Sequence, residues 1–118
     1  MRQRPYEKLI AWQEGHKLCV WIYTLTKKFP TEEKYGLTSQ MRRASYSVPT
    51  DTAEGNARRS NKDKAYFLER AISSIEELHY QCKLPYDLKY ITKEDLEKTD
   101  DMIQRTGYLL SKLRSSVL

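Results

Sequence analysis

Arg58, Arg59, Lys62 and Lys64 put four cations within seven residues. Two chemistries fit such a run. Cations that follow a helix compensate the negative end of its dipole. Cations on an exposed turn also contact phosphates, which adds affinity without reading sequence. Arg42 lies earlier in the same predicted helix as a further candidate, and Tyr66 is placed to stack on an unpaired base. A second constellation is the polar line Gln40, Arg43, Ser47, Asp51 and Glu54, spaced 3, 4, 4 and 3 and flanked by the small residues Ala44 and Ser45. It reads either as a ligand or catalytic cluster or as an ion-pair and hydrogen-bond network at a helix or subunit interface. The structural reading has more support, because charges so placed need partners and losing one is costly.

Groups able to carry out catalysis are sparse. His16 and His79 are the only histidines, on different predicted helices, with no His-x-x-x-His or Glu-x-x-His spacing for a metal. Neighbouring carboxylates such as Glu76/Glu77 and Asp100/Asp101 diverge by about 100° on a helix, so they cannot share a reacting centre. There is neither a phosphate-binding glycine loop nor a nucleophile elbow. Cys19 and Cys82 are isolated thiols without repeated spacing; they read either as a structural disulfide or, with more support, as two reduced and partly buried cysteines. The expectation is a protein that is not an enzyme, with no cofactor and no metal.

The elements that must position these groups are helices. Ala11, Gly15, Leu18, Ile22, Leu25 and Phe29 step by 4, 3, 4, 3 and 4, an unbroken heptad-like seam that predicts a helix over about residues 8–28. Trp12, Cys19, Tyr23 and Thr26 add a second stripe. Phe29-Pro30 ends this helix, since the residue before proline is pushed out of the α region. Thr31 then reads as an N-cap, with Glu32 and Glu33 behind it. The second helix is predicted over 37–57, its core line Leu37, Met41, Ala44, Val48 and Thr52, with a kink at Pro49. Asn61 is expected to cap a third helix over about 62–89, with core residues Leu68, Ile72, Ile75, Leu78 and Cys82 and a bend or break near Pro85. Thr92 caps a fourth, in which Leu96, Ile103, Leu110 and Val117 recur every seven residues. Four such helices on short connections predict an all-α, antiparallel up-and-down four-helix bundle, with residues 1–118 as one domain. The first two helices carry more apolar and small-residue surface than one core consumes, so self-association is expected.

Composition agrees. Of 118 residues, 39% are hydrophobic and 31% charged, and only four Gly and four Pro are present. That suits amphipathic helices and leaves too few turn residues for an all-β fold. No stretch reaches the roughly 20 apolar residues of a membrane span, and the N-terminal ten residues lack the apolar core of a signal peptide. A cytoplasmic location without a membrane partner is expected. The net charge of +5 is uneven: residues 1–70 hold 14 Lys/Arg against 8 Asp/Glu, and residues 71–118 hold 7 against 8. The basic part hints at a polyanion partner.

The run from Phe29 to Ala44, with its Gly36-Leu37-Thr38-Ser39-Gln40 core, is followed by Ser47-Val48-Pro49 and Ala53-Glu54-Gly55. It resembles the four-helix-bundle family of 23S rRNA intervening-sequence proteins. The match begins at Leu9, Trp12 and Gln13 and continues through Arg58-Arg59-Ser60, Phe67-Leu68, Ala71 and Ser74 to Glu77-Leu78. That family is encoded within insertions in bacterial rRNA genes and elsewhere in bacterial genomes. It is similar to the accessory protein of diversity-generating retroelements, a basic pentameric bundle that binds nucleic acid and a reverse transcriptase. The resemblance implies a bacterial, cytoplasmic, barrel-like homopentamer with a role tied to RNA or DNA, and it supplies no catalytic residues. Two positions depart from the pattern: Asp51 stands where Asn is common, and Ser73 where Gly is common. The first adds negative charge beside Pro49, and the second bears on close helix packing.

Two functions follow as expectations. One is a homo-oligomeric bundle that touches RNA or DNA through its basic turn. The other is a protein-binding scaffold or accessory subunit that recruits a nucleic-acid enzyme such as a reverse transcriptase.

Overall fold

The computed structural model describes residues 1–118 and contains four α-helices and no strand: α1 (Ile10–Thr26), α2 (Leu37–Ala57), α3 (Asn61–Asp87) and α4 (Lys93–Ser116). Short 3-10 turns precede α1 at Pro5–Lys8 and α2 at Thr31–Glu33. Each helix packs on two neighbours, α1 on α2 and α4, and α3 on α2 and α4, while the diagonal pairs do not meet. The result is an all-α four-helix bundle of 44 × 29 × 20 Å.

The heptad lines become the core. Ala11, Gly15, Leu18, Ile22, Leu25 and Phe29 are all buried, as are Met41, Ala44, Val48 and Thr52 on α2. On α3 Leu68, Ile75, Leu78 and Cys82 are buried, and Ile72 packs partly buried beside them. On α4 Ile103 and Leu110 are buried, with Leu96 and Val117 packed against the cluster from either end. Three buried threonines also serve the core. Thr26, Thr52 and Thr99 each donate a hydroxyl hydrogen bond to the carbonyl four residues back, at 2.8, 2.8 and 2.7 Å. Their hydroxyls are thereby satisfied and their methyl groups are free to pack.

The helix ends differ in detail from expectation. Ser60, not Asn61, caps α3: its Oγ accepts from the Asp63 N–H at 3.1 Å, and Asn61 is already helical. Thr31 caps nothing, because it lies inside a 3-10 turn whose own N-cap is Pro30. The start of α2 is instead served by Glu33, whose Oε1 accepts from the Leu37 N–H at 3.2 Å. Thr92 does cap α4, and Asp95 reciprocates, forming a capping box. Both internal prolines are absorbed: α2 runs on through Pro49, and α3 ends two residues after Pro85. The α3–α4 turn then closes with the Lys89 N–H bonded to the Tyr86 carbonyl and the Tyr90 N–H to that of Pro85. This is a Schellman pattern, with Lys89 in the left-handed region at φ 65°.

Gly15 lets α1 approach α2 closely. A β-carbon there would stand 3.1 Å from a γ-methyl of the fully buried Val48 and 3.8 Å from the Pro49 nitrogen.

Candidate nucleic-acid interface

Arg58 is the residue after α2, and Arg59, Ser60 and Lys62 lead into α3. The link is short because α2 stops at Ala57 and Ser60 at once caps its successor, so three cations are held on a tight corner. Arg58, Arg59 and Lys62 are exposed, Lys64 is half-buried, and none of the four forms an ion pair with a carboxylate. Asp63 is the sole acid between Arg58 and Lys64. The Arg58 guanidinium lies over the Phe67 ring, 4.5 Å from its centroid, which fixes the plane while leaving donors to solvent. Lys64 donates to the Asn56 carbonyl at 3.1 Å and so braces the corner from α3. The N-termini of α1 and α3 and the C-termini of α2 and α4 share this end of the bundle, so the helix dipoles offset one another and the positive charge comes from side chains. Arg2, Arg4 and Lys8 precede α1 there.

Arg42 does not join this corner. It lies sixteen positions before Arg58, about 24 Å away along α2 at 1.5 Å per residue. Its Nε donates to Thr26 Oγ1 at 2.8 Å and its guanidinium covers Tyr23, 4.7 Å from the centroid. The side chain ties α2 to α1. Tyr66 does sit beside the corner, 53% exposed, with Arg70 over its ring.

The polar line on α2 divides. Arg43, Ser47 and Asp51 face Arg70, Ser74 and Glu77 of α3 across an open, polar cleft of about 200 Å³. Gln40 and Glu54 are exposed and lie outside it. Asp51 is buried, and its partner is Arg70 at 3.5 Å, supplied by α3. Burial pushes its carboxyl above the ordinary range, Arg70 pulls it back, and Glu54 adds to the rise. Further along the same face of α3, Gln81 donates to Glu77 at 3.1 Å, while its own Oε1 is buried without a partner.

One grouping was invisible in the sequence. His79 Nε2 stands 3.6 Å from Asp100 Oδ1, and both border a pocket of about 210 Å³ that Cys82 also lines. A Cys, His and Asp around one pocket invite a nucleophile reading. The thiol argues against it. Cys82 is 1% exposed, its Sγ–H donates to the His79 carbonyl at 3.2 Å, and burial together with Asp100 raises its pKa to about 11. Such a sulfur stays protonated at neutral pH. Both cysteines are free thiols, and no cluster of three or more His, Cys, Asp or Glu has metal-holding geometry.

On the α1–α2 flank a broad groove is lined by Tyr6, Trp12, His16, Cys19, Tyr46 and Pro49. Trp12 stacks on His16 at 5.2 Å and meets Tyr6 edge-on at 5.0 Å. Of the stripe read beside the α1 seam, Trp12 and Cys19 open on this groove, while Tyr23 lies under Arg42 and Thr26 is buried.

The fold and surface together define a compact helical bundle with a cationic end and an uncovered aromatic flank. The sequence profile of the 23S rRNA-intervening sequence protein family matches residues 7–112, and the chain belongs to that family. A crystal structure of a protein with unknown function, from the S23 ribosomal protein family of Bacteroides thetaiotaomicron, superposes with a TM-score of 0.83. The two share 22% identity over 90% of this chain and 96% of that one, a likeness of fold. No curated protein matches the sequence. No helix is long and apolar enough to cross a membrane.

Proposed function

We propose that this chain is a non-enzymatic, homo-oligomeric bundle of the cytoplasm, which associates with RNA or DNA through the corner Arg58–Lys64. The carrying observation is that Arg58, Arg59 and Lys62 are exposed on one tight turn with no carboxylate bound to them. Lysines and arginines left unpaired are free to displace counterions from a phosphate backbone. Self-association is supported by the aromatic groove and by Ile10 and Val20, which are 56% and 53% exposed on α1. The family resemblance suggests a ring of five, which would repeat the corner five times and turn weak contacts into avidity. The raised thiol pKa at Cys82 supports the absence of nucleophilic catalysis.

A second reading is a scaffold that recruits a nucleic-acid enzyme. Tyr66, Tyr80 and Tyr108, each more than half exposed on α3 and α4, favour it, because tyrosine is enriched where proteins dock.

Light scattering of the purified chain tests the assembly, and titration of structured RNA and single-stranded DNA at two salt concentrations tests the corner. Binding that weakens with salt and with Arg58→Ala/Arg59→Ala is expected. A monomer that binds neither ligand at low salt refutes the proposal.

A further inference from the structure

The four helices do not close the basic end of the core. An open cavity of about 150 Å³ lies there, floored by Leu9, Leu68, Leu113 and Val117 and rimmed by Asn56, Asn61 and Lys64. Its volume equals that of an engineered apolar cavity known to accept benzene, about 150 Å³, so it has room for one six-membered ring. The side-chain amides of Asn56 and Asn61 make no hydrogen bond within the protein, and the Thr52 hydroxyl is already spent on the Val48 carbonyl. The rim therefore offers donors and acceptors above an aliphatic floor. Rim and cations also interleave in sequence: Asn56, Arg58, Arg59, Asn61, Lys62, Lys64.

We infer that this cavity is a subsite for one unpaired pyrimidine base, with the flanking phosphates held by Arg58, Arg59 and Lys62. The inference rests on the proposed role of the basic corner and names the ligand class it takes. A base has an apolar face and a polar edge, and the cavity lining supplies both kinds of surface. Asn amides pair well with base edges. Base pairing in a duplex hides those edges and keeps the ring in the stack, so the site selects single strands, loops and bulges, where bases splay out. An apolar side chain of a protein partner would suit the floor, but it would gain nothing from the surrounding cations or from the open amides.

The experiment compares a thymidine oligonucleotide with an abasic oligonucleotide of the same length and charge, by fluorescence anisotropy at low salt. The base-bearing oligonucleotide is expected to bind about tenfold more tightly, a difference of the size that burying one ring face against aliphatic side chains supplies. Val117→Trp fills the cavity from the residue that follows α4, and Asn56→Ala/Asn61→Ala strips the rim. Each is expected to abolish the difference between the two ligands while leaving the salt slope unchanged. Equal binding of both ligands to the wild-type chain overturns the base subsite and leaves the basic corner standing. Failure of both ligands to bind overturns the corner and the subsite together.

Discussion

Trp21 donates its indole N–H to Thr99 Oγ1 at 2.8 Å, joining α1 to α4. Thr99 donates its own hydroxyl hydrogen bond to the Asp95 carbonyl at 2.7 Å, and Lys98 Nζ lies 4.0 Å from the centroid of the indole ring. Thr99 is fully buried. Thr99→Val keeps the shape and removes the acceptor, leaving a partly buried N–H unmatched. Urea unfolding is expected to show a loss of about 1–3 kcal/mol. A variant as stable as wild type means the indole finds water instead.

Lower on the same seam, Asp95 accepts from Lys28 Nζ at 2.7 Å and from the Thr92 N–H at 3.1 Å. Burial alone would raise its pKa, but these hydrogen bonds outweigh burial and hold it below the usual carboxylate range. A carboxyl with a depressed folded pKa lends stability above its unfolded pKa, about 3.9. That stability disappears as pH falls through the folded value. Thermal melts should therefore separate wild type from Asp95→Asn at pH 7, and the gap should begin to close only as the pH drops under about 3.9, vanishing below the depressed folded value. A gap that persists in acid assigns the effect to packing.

Asp51 has the opposite sign. Burial lifts its folded pKa, so the ionised form opposes folding above that value, and stability improves as pH falls through it. Asp51→Asn is expected to raise stability at neutral pH by up to about 1 kcal/mol, since Arg70, largely exposed, loses little. Destabilisation by this change would show that the Arg70 pair outweighs desolvation.

Lys89 is a non-glycine residue in a left-handed conformation, φ 65°, at a Schellman turn. The β-carbon in that region costs about 1–2 kcal/mol, which glycine avoids. Lys89→Gly should gain about 1 kcal/mol in chemical denaturation, provided the left-handed conformation is kept.

What the sequence disclosed followed from periodicity. Lines such as Leu18–Ile22–Leu25 announce a buried face because an apolar stripe has nowhere else to go. Thr99 and Thr106 occupy the same register on α4 and are buried, but a hydroxyl hides them from an apolar count. Caps were less legible. Ser60 and Asn61 are both good cap types, and side-chain chemistry alone does not say which of two neighbours leaves the helix. Partners across the bundle were least legible of all. The pairing of Asp51 with Arg70, or of His79 with Asp100, depends on how two helices are rotated about their axes. Arg42 illustrates the limit: adjacent to Arg43 in sequence, it turns toward α1 while Arg43 faces α3.

The placement of Arg58 over Phe67 separates charge from preorganisation. Arg58→Ala deletes a phosphate contact, and for a single strand the slope of log K against log salt should flatten by about 0.7. Phe67→Leu keeps the charge and most of the volume but removes the aromatic face. A cation–π contact at an exposed site is worth about 0.5–1 kcal/mol. Affinity for single-stranded nucleic acid is therefore expected to fall about two- to fivefold with the salt slope intact. Gly55 sharpens the comparison: a β-carbon there would lie 3.1 Å from the Phe67 β-carbon, so the root of this side chain is seated against the end of α2. Leucine keeps that seat. If Phe67→Leu binds as tightly as wild type, Arg58 meets phosphate from some position other than the stacked one, and its guanidinium plane is not set in advance.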